Sequence, residues 1–262
     1  MTAISRHERR APAGPATTSL VFAWRSLLKI KHVPEQLGDV IGIPILFTLL
    51  FTYLFGGALA GSTQDYLEFL LPGTLTLAVV FVTVYSGVTL NADLATGAFD
   101  RFRSMPIWRP APIVGALIGD VGRYLLAGGL VIGLGFAMGY RPAGGAVGVL
   151  AAIALVLFFA SALSWAWIAL GLVLRSSNAV MSIGFVILFP VTFMSNIFVD
   201  PGTMPGWLRA ASDINPVSHV VTATRTLMAG TATTPQVLWA VAAAGVLIMI
   251  FAPLTALLYQ RK

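Results

Sequence analysis

The chain contains no cysteine, so no disulfide framework, thiolate metal site or cysteine nucleophile is open to it. Histidine is nearly as scarce, and His7, His32 and His219 lie too far apart in sequence to offer metal-ligand spacing. Charge is the third shortage. Only 10% of the 262 residues are Asp, Glu, Lys or Arg, against roughly 25% in soluble domains, while 57% are hydrophobic and the mean hydropathy is +0.87. A soluble chain of this size would still need a polar exterior, and there is too little charge here to make one. Also missing is the glycine context of a phosphate-binding loop, G-x-x-x-x-G-K-[ST], around Lys29, Lys31 and Lys262.

What the chain has instead is long apolar runs. Six of them, at about 39–59, 69–91, 112–138, 147–174, 179–199 and 236–258, come near the roughly 20 residues needed to cross a bilayer core, which predicts an all-α integral membrane protein. Residues 1–18 are polar and lack the apolar middle of a secretory signal; they read as a disordered cytoplasmic tail ahead of a transmembrane domain over 19–262. From Ser19 to Pro34 the spacing is helical, with Leu20, Trp24, Leu27 and Leu28 on one side and Arg25, Lys29 and His32 on the other. That helix is too charged to span and is expected to lie in the interface. Between the fourth and fifth runs only Arg175, Ser176, Ser177 and Asn178 intervene, enough for a helical hairpin, the alternative being one very long helix.

Twelve of the 16 Lys and Arg residues fall in the tail, the first helix, the 92–111 loop, the 175–178 turn and the C-terminus; Arg141, Arg209 and Arg225 fall on the other side and Arg123 within the third run. This bias orients both termini to the cytoplasm. The same location explains the net charge of +6 as contact with anionic head groups rather than with nucleic acid.

Three segments carry more information. On the inner side, Leu94, Ala95, Ala98, Phe99 and Phe102 share one helical face, Asp100 and Arg103 can pair on the other, and Pro106 ends the helix. This is either a docking helix or a solvated basic loop. Within the third run, Asp120 and Arg123 stand one turn apart where ionisable groups are costly; they serve either helix register or a substrate path. The pairs Gly115/Gly119, Gly129/Gly133 and Gly135/Gly139 imply close helix contact. On the outer side, Asn215 can cap a helix begun by Pro216 and stopped by Gly230, with Val217, Val220, Val221, Thr224 and Met228 on one side. With Pro201, Pro205, Gly206 and Trp207 before it, this reads as a pair of short re-entrant helices forming a lid.

The segment from Asp93 to Pro106, DLATGAFDRFRSMP, resembles the coupling-helix segment of ABC type 2 transporter permeases, particularly the daunorubicin-resistance-like drug exporters. Residues 215–230, NPVSHVVTATRTLMAG, are similar to that family's Asn-Pro…Ala-x-Arg-x-Leu segment before the last helix, and 198–208, FVDPGTMPGWL, to its external loop. Where many relatives place Glu before the coupling glycine, Asp93 and Ala95 stand here. The resemblance implies a multi-pass permease of the bacterial plasma membrane that supplies six of an exporter's twelve spans and moves an amphiphilic drug-like molecule or lipid outward. It implies a separate nucleotide-binding subunit that carries ATP and Mg, a second permease copy or paralogue, and no cofactor or metal on this chain. The coupling segment would use Asp93, Gly97, Phe99, Asp100, Arg101, Phe102, Arg103 and Pro106, and the lid Trp207, Asn215, Pro216, His219 and Arg225. Two other functions are compatible with composition alone: an intramembrane lipid-modifying enzyme, which needs converging His, Asp, Glu or Ser, and a non-transporting membrane scaffold.

Overall fold

The computed structural model describes residues 14–32, 34–96 and 111–260, with side-chain surroundings given from Pro44 onward and for parts of the first helix. Gly97, Phe99, Asp100, Arg101, Phe102, Arg103 and Pro106 lie outside the described residues, as do residues 1–13 of the tail. Everything regular that is described is helical: α1 (Pro15–His32), α2 (Pro34–Ala60), α3 (Thr63–Val82), α4 (Val84–Ala95), α5 (Ala111–Ala137), α6 (Gly145–Val173), α7 (Ser177–Phe193), α8 (Gly206–Ile214), α9 (Pro216–Ala229) and α10 (Thr234–Gln260). One 3₁₀ turn, Pro201–Thr203, precedes α8.

Local chemistry sets the boundaries. Ser62 caps α3 by accepting from the Asp65 amide at 3.0 Å, Ser176 caps α7 by accepting from Ala179 at 3.2 Å, and Asn215 caps α9 by accepting from Val217 at 2.9 Å; each satisfies an amide that the helix start leaves free. Gly230 ends α9 with φ 73°, the left-handed conformation that glycine adopts without a Cβ clash. The Ser176 cap makes α6 and α7 two helices with a turn at 174–176 and excludes the single long helix. The end of the fifth run differs from expectation: α7 stops at Phe193, not 199, and Met194–Val199 form an irregular turn.

Thr63–Ala95, Ala111–Ala137, Gly145–Val173 and Thr234–Gln260 are long and apolar enough to cross a membrane, and Pro44–Ala60 and Ser177–Phe193 are shorter apolar helices. The first of these stretches is the centre of the molecule. Its most apolar window is 83% buried, whereas that of α10 is 11% buried, so α3 and α4 are wrapped by protein and α10 presents its sides outward. α3 packs against α2, α5 and α9; α4 against α6 and α7; α10 against α6 and α9. The buried faces form one large cluster around Leu70, Leu71, Val80, Phe159 and Met228.

The continuous apolar stretch 63–95 is not one regular helix. At Thr83 the amide is shared between the Val79 and Val80 carbonyls at 3.2 Å each, and the Ser86 amide returns to Thr83 at 3.0 Å. The Thr83 hydroxyl donates to Val80 at 2.6 Å while accepting from the Trp167 indole at 2.8 Å. A hydroxyl that competes for a backbone carbonyl loosens the α-helical ladder there.

Candidate functional site

At one end of the bundle, α1 begins at Pro15, four residues ahead of the expected Ser19 start, and lies along α5. Its small face is the buried one: Thr18, Ser19 and Ala23 are covered, and Gly115 of α5 leaves no room for a Cβ against Phe22 and Ser19. Leu20, Val21 and Trp24 point away from the protein, each more than 60% exposed, as an interfacial helix requires. Arg25 of α1 reaches Asp93 near the end of α4 at 3.6 Å, so the first residue of the 93–106 segment is tied to α1.

Deeper in, Asp120 and Arg123 pair at 3.0 Å with side chains 3% and 5% exposed. They are not alone. The Ser86 hydroxyl donates to the other Asp120 oxygen at 2.6 Å, Ser86 lies 3.1 Å from the Tyr124 hydroxyl, and Tyr124 lies 2.6 Å from Ser164. The Ser86 proton goes to the carboxylate, which only accepts, and the Ser164 proton to the Ala160 carbonyl at 2.7 Å, so the single Tyr124 hydroxyl proton serves the contacts with both serines. Thus α4, α5 and α6 are joined by one polar chain ending at a carboxylate, with Arg123 as its counter-charge and Thr89 within 3.5 Å of the guanidinium. Sequence spacing identified the ion pair; it gave no sign of Ser86, Tyr124 and Ser164, which come from three helices.

Of the three glycine pairs, the last of which runs past the end of α5, Gly115 meets α1 and Gly135 meets Leu71, but Gly129 and Gly133 face open space. The tightest helix approach lies elsewhere. Gly87 of α4 and Gly171 of α6 meet back to back, and a methyl on either would overlap the other helix's backbone. Asn91 seals the contact by donating to the Gly171 and Leu174 carbonyls at 2.9 and 2.7 Å, satisfying the end of α6.

Between α2 and α7, over the wall made by α3 and α4, runs a groove of about 740 Å³ counted to its open mouth. Pro44, Phe47, Leu77, Ala78, Phe81, Val82, Tyr85, Phe185, Phe189 and Phe193 line it. It is apolar and aromatic, as the walls of sites for apolar ligands are. Sequence reasoning missed it, although phenylalanines at four-residue spacing on both α2 and α7 were the available signal.

At the other end of the bundle, Val217, Val220, Val221, Thr224 and Met228 of α9 are all buried, as the capped-helix reading required. Arg225 is fixed from two directions: its Nε donates to the Phe69 carbonyl and its Nη2 to the Asn196 carbonyl, each at 3.0 Å, with the guanidinium 3.8 Å above the Phe69 ring. Asn215 also donates to the Val191 carbonyl at 2.6 Å, holding α9 to the end of α7. His219 stacks on Trp239 of α10 at 5.9 Å. Trp207 on α8 is 70% exposed and joins none of these contacts.

The family model for the ABC-2 type transporter matches residues 18–229. Over 261 residues, all of this chain and 92% of the relative, it is 46% identical to the daunorubicin resistance ABC transporter permease protein DrrB1 of Streptomyces coeruleorubidus. It is 28% identical over 228 residues, 85% of this chain and 78% of the relative, to the doxorubicin resistance ABC transporter permease protein DrrB of Mycobacterium tuberculosis. The polar chain, the coupling-like segment and the outer capped helix all fall within the matched region, and the chain belongs to the ABC-2 type transporter family as a multi-pass membrane permease of an exporter.

Proposed function

We propose that this permease exports a planar, amphiphilic aromatic compound of the anthracycline kind, using ATP hydrolysed by a separate nucleotide-binding subunit. The observation that carries the substrate class is the groove between α2 and α7, whose lining is apolar throughout and half phenylalanine. Such walls hold flat ring systems by stacking and by displacing water. The relatives named for daunorubicin and doxorubicin resistance support the same class.

The rest of the assembly follows in this reading. The chain crosses the membrane six times, α2 and α7 serving as the first and fifth spans and α3 with α4 as the second, and both termini are cytoplasmic. The transmembrane domain begins with α1 at Pro15. The segment from Asp93 to Pro106 docks in the nucleotide-binding subunit, which holds ATP and Mg; Phe99 and Phe102 are its anchors, Gly97 and Pro106 shape it, and Asp100, Arg101 and Arg103 set orientation. A second permease, copy or paralogue, completes twelve spans. Trp207, Asn215, Pro216, His219 and Arg225 belong to an external lid over the exit. Asp120 and Arg123 fix the register of α5 against α4.

The test is drug binding and export in membranes carrying the permease with its ATPase subunit. Daunorubicin fluorescence is quenched on binding, and Phe185→Ala with Phe189→Ala should weaken that binding at least tenfold while ATP-dependent, vanadate-sensitive export falls in parallel. Unchanged affinity in this double variant would move the substrate site away from the groove.

A further inference from the structure

Phe47, Phe51 and Phe55 recur every four residues on α2, and Phe185, Phe189 and Phe193 recur at the same spacing on α7, so each set is a stripe with one ring per turn. Neighbouring rings are within reach of one another: Phe47 and Phe51 stack at 5.7 Å, Phe51 and Phe55 lie at 5.3 Å, and Phe189 and Phe193 stack at 4.3 Å. At the bottom, Phe81 of α3 faces Phe185 at 5.4 Å. Phe55 and Phe189 are 41% and 51% exposed, while Phe47, Phe51, Phe81 and Phe193 rest one side against the core.

The two stripes converge at one end, and there a ring from neither helix closes the gap. Phe198, on the turn after α7, stacks on Phe51 at 4.5 Å and lies 4.9 Å from Phe193 and 6.1 Å from Phe47. It is 5% exposed, the most covered ring of the series. Its turn is seated by a few definite bonds. The Tyr66 hydroxyl donates to the Phe198 carbonyl at 2.9 Å, Arg225 holds the Asn196 carbonyl, and Asn196 donates to the Thr222 hydroxyl at 2.8 Å. Ile197 lies so close to Gly73 that a Cβ there would clash with its backbone. The seat is imperfect, because the Asn196 Oδ1 is buried without a partner. A buried acceptor left unpaired is a cost that lifting the turn relieves.

We infer that Phe198 is the gate ring of a stacking track, selective for planar aromatic molecules, that leads from the groove to the outer surface. This rests on the export reading above and names how the substrate leaves. A flat ring system moves outward by exchanging one phenylalanine face for the next, so no step requires it to give up all of its stacking at once. To leave, it takes the place of the Phe198 ring against Phe51 and Phe193, a ring-for-ring exchange that a saturated molecule cannot make on equal terms. Tyr66 acts through Phe198 as a positioning residue: its hydroxyl fixes the backbone of the gate without touching the track.

The experiment uses the whole complex, permease with its ATPase subunit, reconstituted in vesicles without ATP. Ethidium outside and DNA trapped inside report passive entry of a planar aromatic cation, and radiolabelled choline reports a non-aromatic cation of the same charge. Tyr66→Phe keeps every ring and removes only the hydroxyl; Phe198→Ala removes the gate. Both should admit ethidium at least threefold faster than the native complex with choline entry unchanged, and Tyr66→Phe, which keeps every ring, should bind daunorubicin within twofold of native. Native ethidium entry in both variants, or choline entry rising in step, overturns the gate. Should Phe198→Ala fail to assemble, Tyr66→Phe alone decides. Daunorubicin quenching separates the two levels: a native complex that binds no drug overturns the export reading and the gate with it, whereas binding with unaltered entry overturns the gate only.

Discussion

Removing the charge of Asp120 isolates what the buried polar chain contributes. In the native protein the carboxylate takes two hydrogen bonds, from Ser86 at 2.6 Å and from Arg123 at 3.0 Å, at a site where both ionic side chains are almost fully covered. Asp120→Asn keeps the size of the side chain but leaves Arg123 a buried, uncompensated cation, which costs about 3 kcal/mol by analogy with broken buried pairs and membrane-insertion scales. Arg123→Gln leaves the carboxylate without its counter-charge, and protonation limits the loss to about 2 kcal/mol. The double variant, Asp120→Asn with Arg123→Gln, strands no charge and retains Ser86, Tyr124 and Ser164. Its loss should be only about 1 kcal/mol, in keeping with the modest worth of neutral hydrogen bonds between membrane helices. The expected coupling energy is therefore about 4 kcal/mol, from the two single losses less the double. Reversible unfolding of the detergent-solubilised permease in mixed micelles measures all four members of the cycle. Losses that add to within about 0.5 kcal/mol would show that the pair is not a unit and refute the argument.

Other consequences are separable from that one. Gly87→Ala and Gly171→Ala should each destabilise the fold by about 1–3 kcal/mol, because the new methyl meets backbone rather than a side chain that can yield; Gly129→Ala, in open space, should change melting by no more than experimental error. Since the chain has no cysteine, single cysteines at Gln64 and Thr203, both exposed, should react with an impermeant maleimide from outside whole cells, and reaction only in inverted vesicles would reverse the orientation. Replacing both Phe99 and Phe102 by Ala should leave the permease inserted but abolish copurification of the ATPase subunit, the anchors being worth about 2 kcal/mol or more; undiminished copurification would place the joint elsewhere, with α1 the next candidate.

Hydropathy made the helices legible because each apolar run is punctuated by residues with a structural job. Ser176, Asn215, Pro216 and Gly230 stand where caps and stops are needed, and all four do that work. The end of α7 was misplaced for the opposite reason: Met194, Ile197, Phe198 and Val199 are as apolar as a span, so composition could not separate the turn from the helix. The first helix is helical as its spacing predicts, but its packing is not legible there, since the face it buries is Ser19 and Ala23 rather than the larger side chains. Glycine misled in the same way. Pairs at four-residue spacing on α5 drew attention, yet the contact that matters joins single glycines from helices 84 residues apart, Gly87 to Gly171. Within the candidate site, Asp120 and Arg123 announced themselves because charge in a membrane is costly, whereas Ser86, Tyr124, Ser164 and the phenylalanine stripes are ordinary residues until the fold brings them together.

The placement of Thr83 connects the inner and outer halves of the molecule. α4 is bound to α6 by the Gly87–Gly171 contact and the Asn91 cap, and to α5 by the polar chain through Ser86, so the part of the chain leading to the 93–106 segment belongs to one well-tied block. The groove wall, however, straddles Thr83: Leu77, Ala78, Phe81 and Val82 come from α3, and Tyr85 from α4. In the proposed export reading, a displacement of α4 driven from the 93–106 segment would be taken up at the shared amide and back-bonding hydroxyl of Thr83. Bending there shifts Tyr85 against Phe81 and changes the shape of the groove without breaking the polar chain or the glycine contact. Trp167 sets how readily that bend occurs, because its indole holds the Thr83 hydroxyl from α6. One threonine thus stands between the tied α4–α5–α6 block and the aromatic groove, its side chain bonded both to the helix it weakens and, through Trp167, to α6.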